Sequence, residues 1–240
     1  MLDFFFAQWF FVYPNLGATL GIPAPALGRS VPVEEYIFYL TGFLAVLLLY
    51  VWLCEFWLAA YNMPDYLGEA RKVGRLLQFH PISLILALVL IGAAWLYKKH
   101  LALPDDQAGF PGYFTFLVVG ALLPSGSFYP VARRFINWRA LSLTLFFMLL
   151  VSLLWEATVA VPYNWWNFQH RQMTGLFVGA WSRLPIEEAC IWIAVTYAMV
   201  VIVFEVMKVL VASERSVRDA MIGSKLGSSL KGEDFFRNDA

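Results

Sequence analysis

Long apolar runs separated by short polar stretches set the first expectation for this chain. A transmembrane helix needs about 20 mostly apolar residues. Five runs qualify, at residues 34–58, 81–97, 112–131, 140–161 and 186–211, with Glu and Lys near their ends placed at the interface. A sixth run, 3–22, is interrupted by Asp3, Gln8, Pro14 and Asn15 and is also expected to enter the membrane. Its Met1-Leu2-Asp3 start has no basic segment of the kind that opens a signal peptide. The pattern predicts an all-α integral membrane protein with several passes.

Composition narrows the function. Hydrophobic residues make up 60% of the 240 and charged residues 14%, against roughly 25% charged in a soluble domain. That excludes a disordered chain or an ordinary soluble one. Lys+Arg and Asp+Glu both number 17, so bulk charge points to no nucleic-acid partner. Aromatics reach 18%, which suits an apolar pocket or interface anchors. Cys54 and Cys190 lie inside apolar runs and read as buried thiols. Of the 17 basic residues, 12 fall in 59–80, in 132–139 or from Lys208 onward; only Arg29, Lys98, Lys99, Arg171 and Arg183 fall on the other side. The excess assigns those two loops and the C-terminus to the cytoplasm.

A doubled acidic motif carries the chemistry. VPVEEYIFY at 31–39 and LPIEEACIW at 184–192 both read apolar-Pro-apolar-Glu-Glu. Asp3 precedes Glu34 by 31 positions, and Glu156 precedes Glu187 by the same 31. This spacing predicts an internal duplication. Three spans separate the motif helices, so the two run parallel, as repeats related by an axis along the membrane normal do. The expected organisation is a shortened first repeat at 1–58, a linking helix and loops at 59–111, a second repeat at 112–211 and a flexible, cytoplasmic tail at 212–240.

Proline is tolerated in the first turn of a helix, so each Glu-Glu pair falls in or just after that turn. There the helix dipole favours the carboxylate, while removal from water favours the neutral acid. Two such groups in one apolar cavity share a proton and supply an acid and a base together. A single glutamate in such a turn is usually only a cap; the doubled motif with matched upstream acids favours chemistry. Adjacent helical positions differ by about 100°, which leaves open which member of each pair faces the cavity.

Other polar features say less. Asp105-Asp106 in a Pro/Gly turn reads as a solvated pair. His80, His100 and His170 have no ligand spacing, so no metal is expected. Glu205 and Lys208, three apart, are expected to pair. Pro124-Ser125-Gly126 should kink its helix.

Pro32-Val33-Glu34-Glu35 followed by Tyr36, Phe38 and Tyr39, and Leu184-Pro185-Ile186-Glu187-Glu188 preceded by Trp155-Glu156 and Pro162-Tyr163-Asn164-Trp165, resemble the integral-membrane lycopene cyclases, the fused or two-subunit class of archaea, fungi and some bacteria. The likeness runs from about residue 1 to 211. It implies a bundle of 5–7 transmembrane helices with two parallel-related repeats, no cofactor, and proton-initiated, redox-neutral cyclisation of a linear carotenoid end group. By the same resemblance the catalytic residues are Glu34, Glu35, Glu187 and Glu188, with Glu156 and Asp3 as supporting or opposing groups. Pro32, Tyr36, Trp155, Tyr163, Trp165, Trp166, Pro185 and Trp192 would bind substrate, aromatic faces stabilising a passing carbocation as they do an ammonium. The implied partners are an apolar polyene held within the lipid bilayer and a second subunit or another copy of the chain. The chain departs from the family in three ways: it begins inside the expected second helix, it has Glu156 where Asp is usual, and residues 167–172 are polar. Related terpene cyclases, carotenoid prenyltransferases, a small transporter and an inactive subunit stand as alternatives.

Overall fold

The computed structural model describes residues 2–26, 29–62, 66–178 and 183–223. It is an all-α bundle. Five helices are long and apolar enough to cross a membrane: α2 (Val33–Trp57), α4 (Pro81–His100), α5 (Gly112–Ala132), α6 (Trp138–Ala160) and α7 (Ile186–Ser213). Short helices α1 (Leu2–Phe10), α3 (Tyr66–Arg71) and α8 (Val217–Ile222) complete it. The five long helices match the five expected runs to within about one turn.

Two expectations are corrected. The run 3–22 does not form one helix: α1 stops at Phe10, and the chain continues through the two-residue strand β1 (Phe11–Val12) into loop. Pro14 and Asn15 follow at once, and with Gly17 and Gly21 beyond them only one short 3-10 turn, Leu16–Ala18, forms before the hairpin. The tail is folded through its first part, because Leu76 and Leu77 donate backbone N–H bonds to Ala220 and Met221 and so hold α8 against the loop before α4. Residues 224–240 of the expected tail lie outside the described residues.

Helix α7 sits at the centre, packed against α2, α5 and α6, while α4 contacts mainly α5. Burial follows that order, α7 being the most enclosed long helix and α4 the least. On α2 the exposed residues Ile37, Leu40, Leu44 and Leu48 form one stripe at helical spacing. Ile82, Ile85 and Val89 do the same on α4. Two of the long helices thus present apolar stripes on the outside of the bundle.

Each motif helix begins in the same local structure. A hairpin of β2 (Pro23–Ala26) and β3 (Arg29–Pro32) leads into α2, and a hairpin of β5 (Phe177–Val178) and β6 (Leu184–Pro185) leads into α7. In both, the motif proline closes the second strand in extended conformation, Pro32 at φ −56° and Pro185 at φ −60°. In both, the first helical N–H returns across the hairpin, Val33 to Ile22 and Ile186 to Leu176. The segments between are joined by β1 pairing antiparallel with β4 (Asn167–Phe168).

Four of the long helices contain a widened turn, at Leu53–Trp57, Val118–Leu122, Glu156–Ala160 and Met199–Val206. Pro124 accounts for the one in α5. It has no N–H to give to the Gly120 carbonyl, and the widened turn lies directly before it.

Close approach of α2 and α7 depends on Gly42. A β-carbon there would lie 2.8 Å from the Trp192 ring, a distance that forces the indole to move. Gly42→Ala should therefore destabilise the protein by about 1–3 kcal/mol, read as a lower unfolding temperature in detergent. Adding Trp192→Phe should recover most of that loss; equal losses in the single and double variants would contradict the contact.

Candidate active site

Three carboxyl groups from three helices meet in one small cavity. Glu35 comes from the first turn of α2, Glu188 from the first turn of α7, and Glu156 from the start of the widened turn near the end of α6. Phe11, Phe38, Tyr39, Trp166, Ile191 and Trp192 complete the wall. All three glutamates are buried, at 7%, 4% and 1% exposure respectively. The Glu156 carboxyl faces Glu188 and the Trp192 indole, and Glu188 has Glu187 and Glu35 as its further acidic neighbours. Carboxyls set side by side in an apolar wall are the arrangement in which acids can share a proton. The cavity measures about 10 Å³, room for about one water.

A larger vestibule of about 230 Å³ adjoins it, lined by Pro32, Glu34, Glu35, Trp155 and Trp165 among others. Glu35, Phe38 and Trp166 belong to both spaces. Its aromatic wall is organised: Trp155 stacks on Phe38 with ring centres 4.9 Å apart and planes 19° apart, and Trp165 and Trp166 lie 5.7 and 5.1 Å from Trp155. Trp192 meets Phe38 edge-on at 6.0 Å.

Within each pair the two glutamates take different roles. The first member turns back to the preceding loop: Glu34 Oε1 accepts the Leu20 N–H, and Glu187 Oε1 accepts the Thr174 N–H at 2.5 Å. The second member, Glu35 or Glu188, points into the acid cavity. The helical step of about 100° separates them. Glu34 still borders the vestibule; Glu187 lines neither space.

The remaining expected residues divide. Pro32, Trp155, Trp165, Trp166 and Trp192 line one space or the other. Tyr36, Tyr163 and Pro185 line neither of these two spaces. Tyr36 packs against the core from the next face of α2. Tyr163 is 63% exposed, and its carbonyl accepts from the Asn15 amide. Pro185 is enclosed in β6 opposite Phe177, and its role is to start α7. Asp3 falls within α1, but its side chain lies outside the described residues.

Several polar groups were not legible as structural parts. Asp106 is buried rather than solvated; it takes His170 Nδ1 at 3.0 Å and Arg183 at 3.4 Å. Lys98, counted above as a loop charge, is fully buried and donates to the carbonyls of Asp106, His170 and Met173. These bonds fix the polar stretch 167–172 and present Thr174 to Glu187. Gly175 follows at φ 81°, with the place of a β-carbon filled by Ala102 and Asp106. Toward the other end of the bundle, Tyr50 donates to Glu205 at 2.6 Å and accepts the Asn137 N–H at 3.1 Å. Glu205 is thus bonded to Tyr50, while Lys208 lies over the Phe204 ring. The Asn137 side chain caps α6 and donates to Leu58 and Asn62.

No group of three His, Cys, Asp or Glu suited to a metal ion occurs among the described residues. Comparison with family models, characterised proteins and solved structures gives no match to this chain.

The two roles within a pair can be separated by stability. Glu187→Ala leaves the buried Thr174 N–H without its acceptor and should cost about 1–3 kcal/mol, seen as a lower unfolding temperature in detergent. Glu187→Gln keeps an acceptor and should cost clearly less. Equal losses for both would contradict a capping role.

Proposed function

We propose that the protein is a multi-pass membrane enzyme that cyclises an apolar polyene by acid catalysis, of the type represented by the lycopene cyclases. The observation that carries this reading is the meeting of Glu35, Glu156 and Glu188 in one small cavity that adjoins, through Glu35, an aromatic vestibule. An alkene is a weak base, so its protonation needs a neutral acid held ready away from water. A coupled set of carboxyls keeps such a proton and also provides the base that must take one back. The apolar stripes on the outer faces of α2 and α4 support residence in a bilayer, where such a substrate would be dissolved.

The acid cavity is too small for an end group, so the substrate would lie in the vestibule with Glu35 as its nearest inward acid. Glu35 gives its proton to the terminal double bond, whose electron pair forms the new C–H bond and leaves a tertiary cation. The next double bond attacks that cation and closes the ring. A ring proton then passes to a carboxylate of the set, its bonding electrons restoring a double bond. One proton enters and one leaves, so the product is an isomer and no oxidant is used. Phe38, Trp155, Trp165 and Trp166 offer their faces to the cation. Glu156 and Glu188 hold the proton that recharges Glu35. The matching hairpin-proline-glutamate starts of α2 and α7 support descent of the two halves from one duplicated unit, with both motif helices parallel.

Asp106 would be the natural group for a diphosphate-dependent prenyl transfer, and its engagement by His170 and Arg183 disfavours that alternative. One observation favours a second reading, proton conduction: Glu205 is buried with Tyr50 inside the far half of α7, so acids occupy two depths of the bundle.

Expression in a bacterial host that accumulates lycopene tests the proposal, with pigments separated by chromatography and identified by absorption. Wild type should yield monocyclic or bicyclic carotene. Glu35→Gln and Glu188→Gln should each lower the yield about 10²-fold or more while the protein stays in the membrane, and Glu34→Gln should retain the larger share of activity. Unchanged lycopene with wild type present, or equal yields from all variants, would overturn the assignment.

A further inference from the structure

A third cavity, of about 340 Å³, lies at the opposite end of the bundle from the acids, between the segment after α3 and the last turn of α5. Its charged lining is Lys72, Arg133, Arg134 and Glu69. Glu69 is committed to Lys72 at 2.7 Å. Arg133 and Arg134 are exposed, and among the described residues no carboxylate pairs with either. Val73, Val131 and Phe135 make an apolar floor beneath them. Two neighbouring guanidinium groups without a carboxylate partner favour an anion such as a phosphate.

The surroundings of the cleft decide which phosphate. Gln78 lines it, and the chain is pinned there by the Gln78 N–H bond to Ser127. Directly beyond, Phe79, Ile82 and Ile85 are 79%, 67% and 60% exposed and form an apolar strip leading from the cleft along α4. A free anion would use the cations and leave the strip bare; a molecule with a phosphate and an acyl chain uses both.

We propose that this cleft binds the phosphate of an anionic phospholipid, with the acyl chain lying along the outer face of α4. The assignment rests on the membrane reading above and is independent of the cyclase chemistry. Arg133 and Arg134 hold the phosphate, and the Gln78 amide borders the headgroup. The lipid thereby fastens the loop before α4 to the end of α5.

The test uses the full chain, purified in mild detergent, freed of lipid and offered equal phosphatidylglycerol and phosphatidylcholine, with retained lipid counted by native mass spectrometry. Wild type should retain phosphatidylglycerol on the order of tenfold over phosphatidylcholine. Arg133→Gln/Arg134→Gln should lose that preference, Arg133→Lys/Arg134→Lys should keep part of it, and Arg71→Gln, whose partner is Glu214, should keep all of it. Equal preference in wild type and the double Gln variant would overturn the site. Displacement of phosphatidylglycerol by equimolar inorganic diphosphate would overturn the lipid as its source. Alkaline carbonate washing of host membranes reads the membrane premise separately: release of the protein would refute that premise whatever the lipid result.

Discussion

Burying a carboxyl group among apolar side chains costs more than any single packing contact returns, unless the group has a hydrogen-bonding partner or a proton. This constraint governs the upper half of the bundle. Glu34 and Glu187 meet it with backbone N–H groups presented by the loops before their helices. Glu35, Glu156 and Glu188 have each other as neighbours, an arrangement suited to sharing a proton. The features nearby serve one of these two solutions. The Lys98 and Asp106 bonds hold the loop that offers Thr174, and Gly175 lets that loop pass close to Asp106.

The same local design occurs twice. A proline in extended conformation ends a hairpin, the next residue sends its N–H back across that hairpin, the first glutamate secures the loop, and the second faces inward. Helix α6 supplies the third acid by a different device. Its last turn is widened from Glu156 onward, with the Val161 N–H reaching back five residues to the Glu156 carbonyl. The inserted residue advances the chain around the helix axis so that Trp165 and Trp166 reach the vestibule wall soon after Glu156 reaches the cavity. Opposite the acids, Tyr50, Asn137 and Glu205 satisfy one another and join α2, α6 and α7 at the other end.

The five long helices were legible in the sequence because length and apolarity alone specify them. So was the doubled motif, since proline and paired glutamates stand out in apolar surroundings. The helical step guaranteed that one member of each pair would differ from the other, but only the loop geometry tells which. The N-terminal run misled because its apolar content outweighed Pro14 and the glycines that stop a helix after Phe10. Lys98 and Asp106 read as solvated because their sequence neighbours are polar; apart from the bond between them, their partners lie some 64 to 77 positions away and leave no local trace. Tyr163 was drawn in by its aromatic neighbours, yet the positive φ of Asn164 turns the chain between it and Trp165.

The central claim is that a proton from the cavity carboxyls starts ring closure. Carboxyl protons exchange with water, so the direct measurement is cyclisation of lycopene by membranes containing this protein in heavy water, followed by mass spectrometry of the product. The account predicts one deuterium retained for each ring formed. A cyclic product without deuterium would contradict protonation by these acids, and lycopene left unchanged by protein correctly inserted in the membrane would contradict the cyclase itself.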